Sequence, residues 1–337
     1  MIIINTDLDI IIPCYNSKET IFNTLFSISI QKETPNFKVY LINDKSEYDY
    51  SEEVNYFSKY YNIEEIKLDI NKGPGGARKE GINRSSSPYI MFIDSDDLLY
   101  DSSSIKGLYE AVQGYDICIS NFILERDGVR VVKEKNKVWL HGKIYKREFL
   151  DKHNINFNNT RANEDNGFNR LIILLDPKIR YLDKITYIYK ENENSITRSN
   201  NRNYKISGLE GFCINMKWAL DEAIKRGADK RVSPYLATSS LVSMYYDYLY
   251  TRNEPNNKDI LKYSKILLPF YINYERVPNE FLIRCFKYKE DELEKEKKEY
   301  IKDITFEEFI NEVINNGWKR RGICSKFRRS KKNKWWN

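Results

Sequence analysis

At 337 residues, with 41% hydrophobic and 31% charged side chains, the chain has room for one large domain with an appendage or for two domains, and is too long for a peptide module. Its formal charge of +6 is uneven: after Gly317 the tail "WKRRGICSKFRRSKKNKWWN" holds nine Lys and Arg and no acid, so everything before it is net acidic by three. The five cysteines, Cys14, Cys118, Cys213, Cys285 and Cys324, stand singly with no C-x-x-C pair, which excludes a cysteine zinc site and a disulfide framework and reads as reduced thiols of a cytosolic protein.

The N-terminus "MIIINTDLDIIIPC" has only short apolar runs and no basic segment ahead of them, so neither a signal peptide nor a membrane-spanning helix is expected. Residues 8–14, "LDIIIPC", form a continuous β-branched run, the pattern of a strand covered on both faces, and 38–43, "KVYLIN", repeats it. Between them Ile21, Leu25 and Ile28 fall at helical spacing behind Ser17 and Thr20. "SEEVNYFSKY" follows as a helix and "IEEIKLDI" as a weaker strand. "GGARKEGINRSS" is a helix leaving a Gly-rich turn, and "YIMFID" is the next strand. This alternation predicts a mostly parallel, doubly wound sheet whose ligand site lies beyond the carboxyl ends of its strands.

Beyond residue 115, "YDICISNFIL" and "RVVKEKNKVW" read as strands joined by an Asp127-Gly128 turn. "KREFLDKHNI" and "EDNGFNRLIILL" read as helices and "RYLDKITYIYK" as a strand. From about 204 to 268 the chain is helical and apolar, and "KYKEDELEKEKKEY" within 286–310 is a solvated helix face. Three carboxylates, Asp94, Asp96 and Asp97, crowd the end of the fourth strand. One reading is a cap, with Ser95, Asp96 and Asp97 accepting from the first N–H groups of a helix at Leu98. The other is a cation site, since such carboxylates repel one another unless Mg²⁺ or Mn²⁺ holds them. His141 and His153, the two histidines, lack paired spacing and suggest no metal site.

The ordered set "PCYN", "LINDKSEYD", "NKGPGGARKEGI", "FIDSDD" and "NEDNGF" resembles the family 2 glycosyltransferases of GT-A fold, over residues 8 to about 200. The resemblance implies a Rossmann-like catalytic domain at 1–200, with a nucleotide-sugar half at 1–100 and an acceptor half at 101–200. A mainly helical region follows at 201–317, then the basic tail at 318–337. It implies a UDP-sugar donor held by Pro13, Tyr15, Asn16, Asp44, Lys72, Gly73, Arg78, Asp94 and Ser95, with Arg78 near the nucleotide. A divalent metal, Mn²⁺ or Mg²⁺, would sit on Asp94 and Asp96, and Asp165 would be the catalytic base with Glu164 as its neighbour. Independently of the family, Asn163 with acids behind it reads as a helix N-terminus, whose dipole would keep Asp165 ionised. Trp139, Ser195 and Arg198 are candidates for the acceptor or diphosphate side.

One base and a single displacement imply inversion at the anomeric carbon. The expected acceptor is a hydroxyl of a bacterial cell-surface polysaccharide, teichoic acid or lipid-linked glycan, with the Trp-bearing basic tail resting on the anionic inner face of the cell membrane. Two alternatives share these residues: a phage-encoded enzyme that glycosylates hydroxymethylated DNA bases with its tail on phosphate, and a non-catalytic nucleotide-sugar-binding or assembly protein. The apolar run at 236–250 could also serve an oligomer.

Overall fold

The computed structural model describes residues 6–126, 128–160, 162–190, 203–228, 232–273, 277–295 and 298–315. Asp127, Ser195, Arg198, Cys324 and the whole tail 318–337, on which expectations rested, lie outside the described residues. The chain divides into two compact units, Met1–Asp229 and Lys230–Asn337.

The first unit begins β1 (Leu8–Cys14), α1 (Ile21–Ser29), β2 (Phe37–Asn43), α2 (Ser51–Phe57), β3 (Asn62–Lys67), α3 (Gly73–Arg84) and β4 (Tyr89–Phe92). It continues through β5 (Leu98–Leu99), α4 (Ser104–Val112), β6 (Ile117–Arg126), β7 (Val129–Lys133), β8 (Lys143–Lys146), α5 (Arg147–Lys152), α6 (Glu164–Leu174), β9 (Ile179–Lys190) and α7 (Asn203–Lys225). The strands form one sheet in the order β3-β2-β1-β4-β8-β6-β9-β5, with β7 paired to β6.

The parallel order expected from the βα alternation holds for β3-β2-β1-β4. It gives way beyond β4, where β8 runs antiparallel to both β4 and β6 and only β6 and β9 are parallel. Both faces of the parallel half are covered, as the continuous apolar run of β1 requires: Leu8, Ile10 and Ile12 pack toward α1 and α4, while Ile11 packs toward α3. β2 and β4 flank β1 on opposite sides, so the order reverses at β1 and the loops leaving β1 and β4 open on a switch-point crevice.

The first unit runs past residue 200 because α7 packs along α6, with Ala219 and Ala223 joining the same apolar cluster as Phe168 and Leu171. The second unit holds α8 (Ser233–Tyr250), α9 (Asp259–Ser264), α10 (Leu268–Ile272), α11 (Asn279–Lys295) and α12 (Phe306–Asn315). Its centre is α8, whose Tyr245 and Tyr248 pack on Phe309 of α12. The tyrosine hydroxyls are spent inside the unit, that of Tyr245 donating to the Ile304 carbonyl and that of Tyr248 to Glu312. Among the described residues no helix is long and apolar enough to cross a membrane.

Candidate active site at the β1–β4 crevice

The strand ends deliver the expected polar residues to one crevice. Past β1, Tyr15 and Asn16 are exposed at its mouth, with Pro13 half-buried behind them. Asn16 takes a left-handed backbone, its amide donating to Ser46 Oγ and its Oδ1 accepting from the Glu47 amide, so the loops after β1 and β2 are tied together. Asp44, buried past β2, accepts the backbone N–H of Lys72 at 2.7 Å, which fastens the β2 loop to the start of α3. The Lys72 ammonium turns outward to Glu80 at 3.4 Å. Gly73 has φ +73°, the left-handed region glycine favours, and a Cβ on Gly75 would lie 2.7 Å from Glu164 Cγ. The glycines therefore serve first to bring α3 against α6.

Arg78 follows from that approach. It is buried beneath the crevice, donating through Nη2 to Asp94 Oδ1 at 2.5 Å and through Nη1 to Glu164 Oε1 at 2.6 Å. It thereby joins the end of β4 to the first turn of α6. Burial opposes its charge, but the carboxylates of Asp94 and Glu164 outweigh that and hold it firmly protonated. Burial likewise raises Asp94, and the Arg78 charge more than offsets it, holding the Asp94 carboxyl well below the usual range.

Asp94, Asp97 and His141 each bring one ligand atom to within 4.8 Å of the others. His141 Nε2 stands 3.8 Å from Asp94 Oδ2 and 3.6 Å from Asp97 Oδ2. Asp96, the expected partner of Asp94, is half-buried outside this group, and His141, given no metal role from sequence, is inside it. The imidazole is set by aromatic packing, stacked on Tyr189 at 4.6 Å and on Tyr187 at 5.1 Å, with Trp139 edge-on. Trp139 thus belongs to the wall around His141. Asp97 is fully buried and accepts from the Tyr187 hydroxyl and the Lys190 amide; burial and the charges of Asp96 and Asp94 push its carboxyl well above the usual range. Ser95 bonds Ser17 Oγ at 2.7 Å, and no helix starts at Leu98, where the two-residue β5 begins instead, so the capping reading fails.

The set fits a dication. Two carboxylate oxygens and an imidazole nitrogen suit Mn²⁺ better than Mg²⁺, which prefers oxygen alone. His141 Nδ1 is buried without a hydrogen-bond partner, leaving Nε2 as the nitrogen turned to the carboxylates.

Asp165 stands in the first turn of α6, half-buried. Burial and the neighbouring Glu164 raise its carboxyl to about 6, with Arg78 opposing. Burial outweighs the helix N-terminus that sequence credits with keeping it ionised. Asn163 is left-handed and, rather than capping α6, donates to the Gly208 carbonyl on α7. Beneath lies Lys143, fully buried and bonded to the Trp139 carbonyl; burial pushes its ammonium down to about 7 against the pull of Asp165. Asp97 belongs to the acidic cluster that the sequence already marks, whereas His141 and Lys143 carry no local signature, because each acquires its role from strands far away in sequence.

The model of glycosyl transferase family 2 matches residues 9–163, from the second residue of β1 to the residue before α6. The matched segment, which lies within the first unit, belongs to this family. The poly-β-1,6-N-acetyl-D-glucosamine synthase of Staphylococcus epidermidis is 32% identical over 28% of this chain and 22% of its own length. The poly(ribitol-phosphate) β-N-acetylglucosaminyltransferase TarP of Staphylococcus aureus is 26% identical over 57% of this chain and 64% of its own. The chain thus spans less than two thirds of each of these relatives. Among solved structures, S. aureus TarS residues 1–349 in complex with UDP-GlcNAc superposes with a TM-score of 0.64 at 18% identity, over 89% of this chain and 94% of that one. That likeness is one of fold.

Proposed function

We propose that the chain is an inverting glycosyltransferase that moves a hexosyl or N-acetylhexosaminyl group from a UDP-sugar to a hydroxyl of a cell-surface polysaccharide, teichoic acid or lipid-linked glycan. The observation that carries this reading is the double ion pair of Arg78, which joins the metal-capable carboxylate Asp94 to the helix turn bearing Asp165. Donor and acceptor chemistry then share one rigid floor. The UDP-GlcNAc in the TarS complex and the polymer-directed names of TarP and the poly-glucosamine synthase support the substrate class.

In this reading Tyr15, Asn16 and Asp44 border the base, with Pro13, Lys72, Gly73 and Ser95 completing the nucleotide side. Asp94, Asp97 and His141 hold the divalent ion, with Asp96 at the rim. When bound, that ion supplies Lewis-acid stabilisation of the charge that gathers on the departing diphosphate. Asp165 takes the acceptor proton, for which a carboxyl near 6 is matched to neutral pH. With one base and no second carboxylate acting as nucleophile, the anomeric configuration inverts. Trp139 offers a ring for an acceptor sugar.

A thermal-shift panel of UDP-glucose, UDP-GlcNAc, UDP-galactose, UDP-GalNAc and GDP-mannose, with and without Mn²⁺, tests the reading on wild type and Asp94→Ala. A ligand at a hundredfold its Kd stabilises the native state by about 2.7 kcal/mol. The expected result is a shift for one UDP-sugar that needs Mn²⁺ and disappears in Asp94→Ala. Silence across the whole panel sinks the assignment.

A further inference from the structure

The turn that carries Asp165 is held from a helix outside the family match, and we infer that Asn215 of α7 is a positioning residue for that base. The inference rests on the glycosyltransferase reading above, with Asp165 as the group that accepts the acceptor proton.

Asn215 is completely buried, at a place where an apolar side chain would be the ordinary choice. Its Nδ2 donates to Thr160 Oγ1 at 2.8 Å and to the carbonyls of Ala162 at 3.0 Å and Gly211 at 2.9 Å, and its Oδ1 accepts from Asn158 Nδ2 at 3.3 Å. Three of those partners lie on the loop that enters α6, so one amide fixes the approach to Glu164 and Asp165. The backbone has been cleared for it on both sides. A Cβ on Gly167, in α6, would meet Asn215 Oδ1 at 2.8 Å, and one on Gly211 would meet the Ala162 carbonyl at 2.9 Å.

Asn163 completes the clamp from the loop side by its bond to the Gly208 carbonyl. Its left-handed backbone, costly for a residue other than glycine, is held by this anchor. From the opposite side the Asn158 carbonyl lies 3.0 Å from where a Gly75 Cβ would stand, so the loop is gripped between α3 and α7. A buried polar side chain whose hydrogen bonds nearly all go to one loop sets the position of that loop. Packing alone asks only for volume. The same helix supplies volume through its buried Ala219, Leu220 and Ala223.

The groups facing Asp165 from the surrounding elements are Arg78 of α3, His141 ahead of β8, Lys143 and Tyr145 of β8, and Glu164 beside it. None of them fixes the backbone of the turn as Asn215 does. A displacement of the turn by a fraction of an ångström would leave the nucleotide crevice intact and spoil the line from acceptor hydroxyl to base, the kind of misplacement that costs up to about a hundredfold in rate.

The test is a kinetic double-mutant cycle on UDP release from UDP-GlcNAc, in Mn²⁺ with water as acceptor. Asn215→Leu is expected to lower kcat by about tenfold or more, with the donor KM within about twofold of wild type. Thr160→Val, which removes one acceptor from a half-buried position and folds even where Asn215→Leu does not, is expected to lower kcat by about threefold. In an Asp165→Asn background neither substitution lowers the residual rate further, because both act through the base. A role confined to packing gives the opposite pattern, with kcat per folded molecule unchanged or the same loss repeated in the Asp165→Asn background, and either result overturns the inference. If wild type and Asp165→Asn turn over alike, the catalytic reading itself fails and the inference falls with it; loss in Asp165→Asn alone, with both clamp variants at the wild-type rate, defeats only the inference.

Discussion

Arg78 and Asp165 set the electrostatic behaviour of the crevice. Arg78 is buried between Asp94 and Glu164, so removing its charge leaves two carboxylates unpaired in a poorly solvated place. Arg78→Gln is expected to cost about 3–5 kcal/mol in a urea titration. Asp165 works as a base only when ionised, so with its carboxyl near 6 the rate should fall as the pH drops through that value. Glu164 raises Asp165 and Arg78 lowers it. Glu164→Gln should therefore move the acid limb of the kcat profile to lower pH, and Arg78→Gln, where enough protein remains folded, to higher pH. Limbs that stay in place in both variants would remove Asp165 from the titration. The sequence motifs brought Asp94, Glu164, Asp165 and Arg78 to attention, because each sits in a short run with a chemical reason of its own. They gave no hint that Arg78 would bridge two carboxylates, since that depends on Gly75 letting α3 meet α6. A lone histidine has no spacing to read, so His141 carries no metal signal in the sequence; its carboxylate partners lie on the loop after β4 and its stacking tyrosines on β9.

At the scale of elements, the parallel strands and their helices were legible because β-branched runs and the spacing of Ile21, Leu25 and Ile28 repeat over several residues. Shorter elements escaped. β8, "KIYK", starts on a buried lysine that breaks the apolar run, and α4 carries Gly107 within its stripe of Ile105, Leu108 and Val112. The strand expected over "RVVKEKNKVW" ends at Lys133, because Asn136 Oδ1 accepts from the amides of Val138 and Trp139 and turns the chain. The charged run near 290 is split, with a new helix opening where Thr305 and Glu308 cap each other. Two glycines test how tightly the layers are set. A Cβ on Gly81 would stand 2.4 Å from Ile11 Cγ2, so Gly81→Ala should push α3 off β1 and cost about 1–3 kcal/mol. At Gly107 a Cβ meets its nearest neighbour at 3.7 Å, an ordinary contact, and Gly107→Ala should stabilise the protein by about 0.5–1 kcal/mol. Denaturant midpoints moving in the same direction for both would contradict this account of the α3–β1 contact.

For the whole molecule, the division into units decides what can be cut away. Composition marks no boundary near 200, where the chain merely turns helical, and the first unit continues to Asp229 because α7 covers α6. Cys213, Met216, Ala219, Leu220 and Ala223 of α7 are all buried, and each large apolar side chain among them contributes about 1.5–3 kcal/mol by leaving water. A fragment ending at 202 would lose that cover and Asn215 with it. A fragment of residues 1–229 keeps both apolar clusters of the sheet, the crevice and the clamp. It should unfold in one cooperative step and bind UDP with Mn²⁺ within about twofold of the full chain's affinity, whereas residues 1–202 should show neither property. Calorimetry and isothermal titration on the two fragments decide it. If 1–202 binds as well as 1–229, α7 is dispensable to the crevice; if 1–229 fails to bind, the helices after 230 contribute to the ligand site, and the first unit is a domain of the fold without being the unit of function.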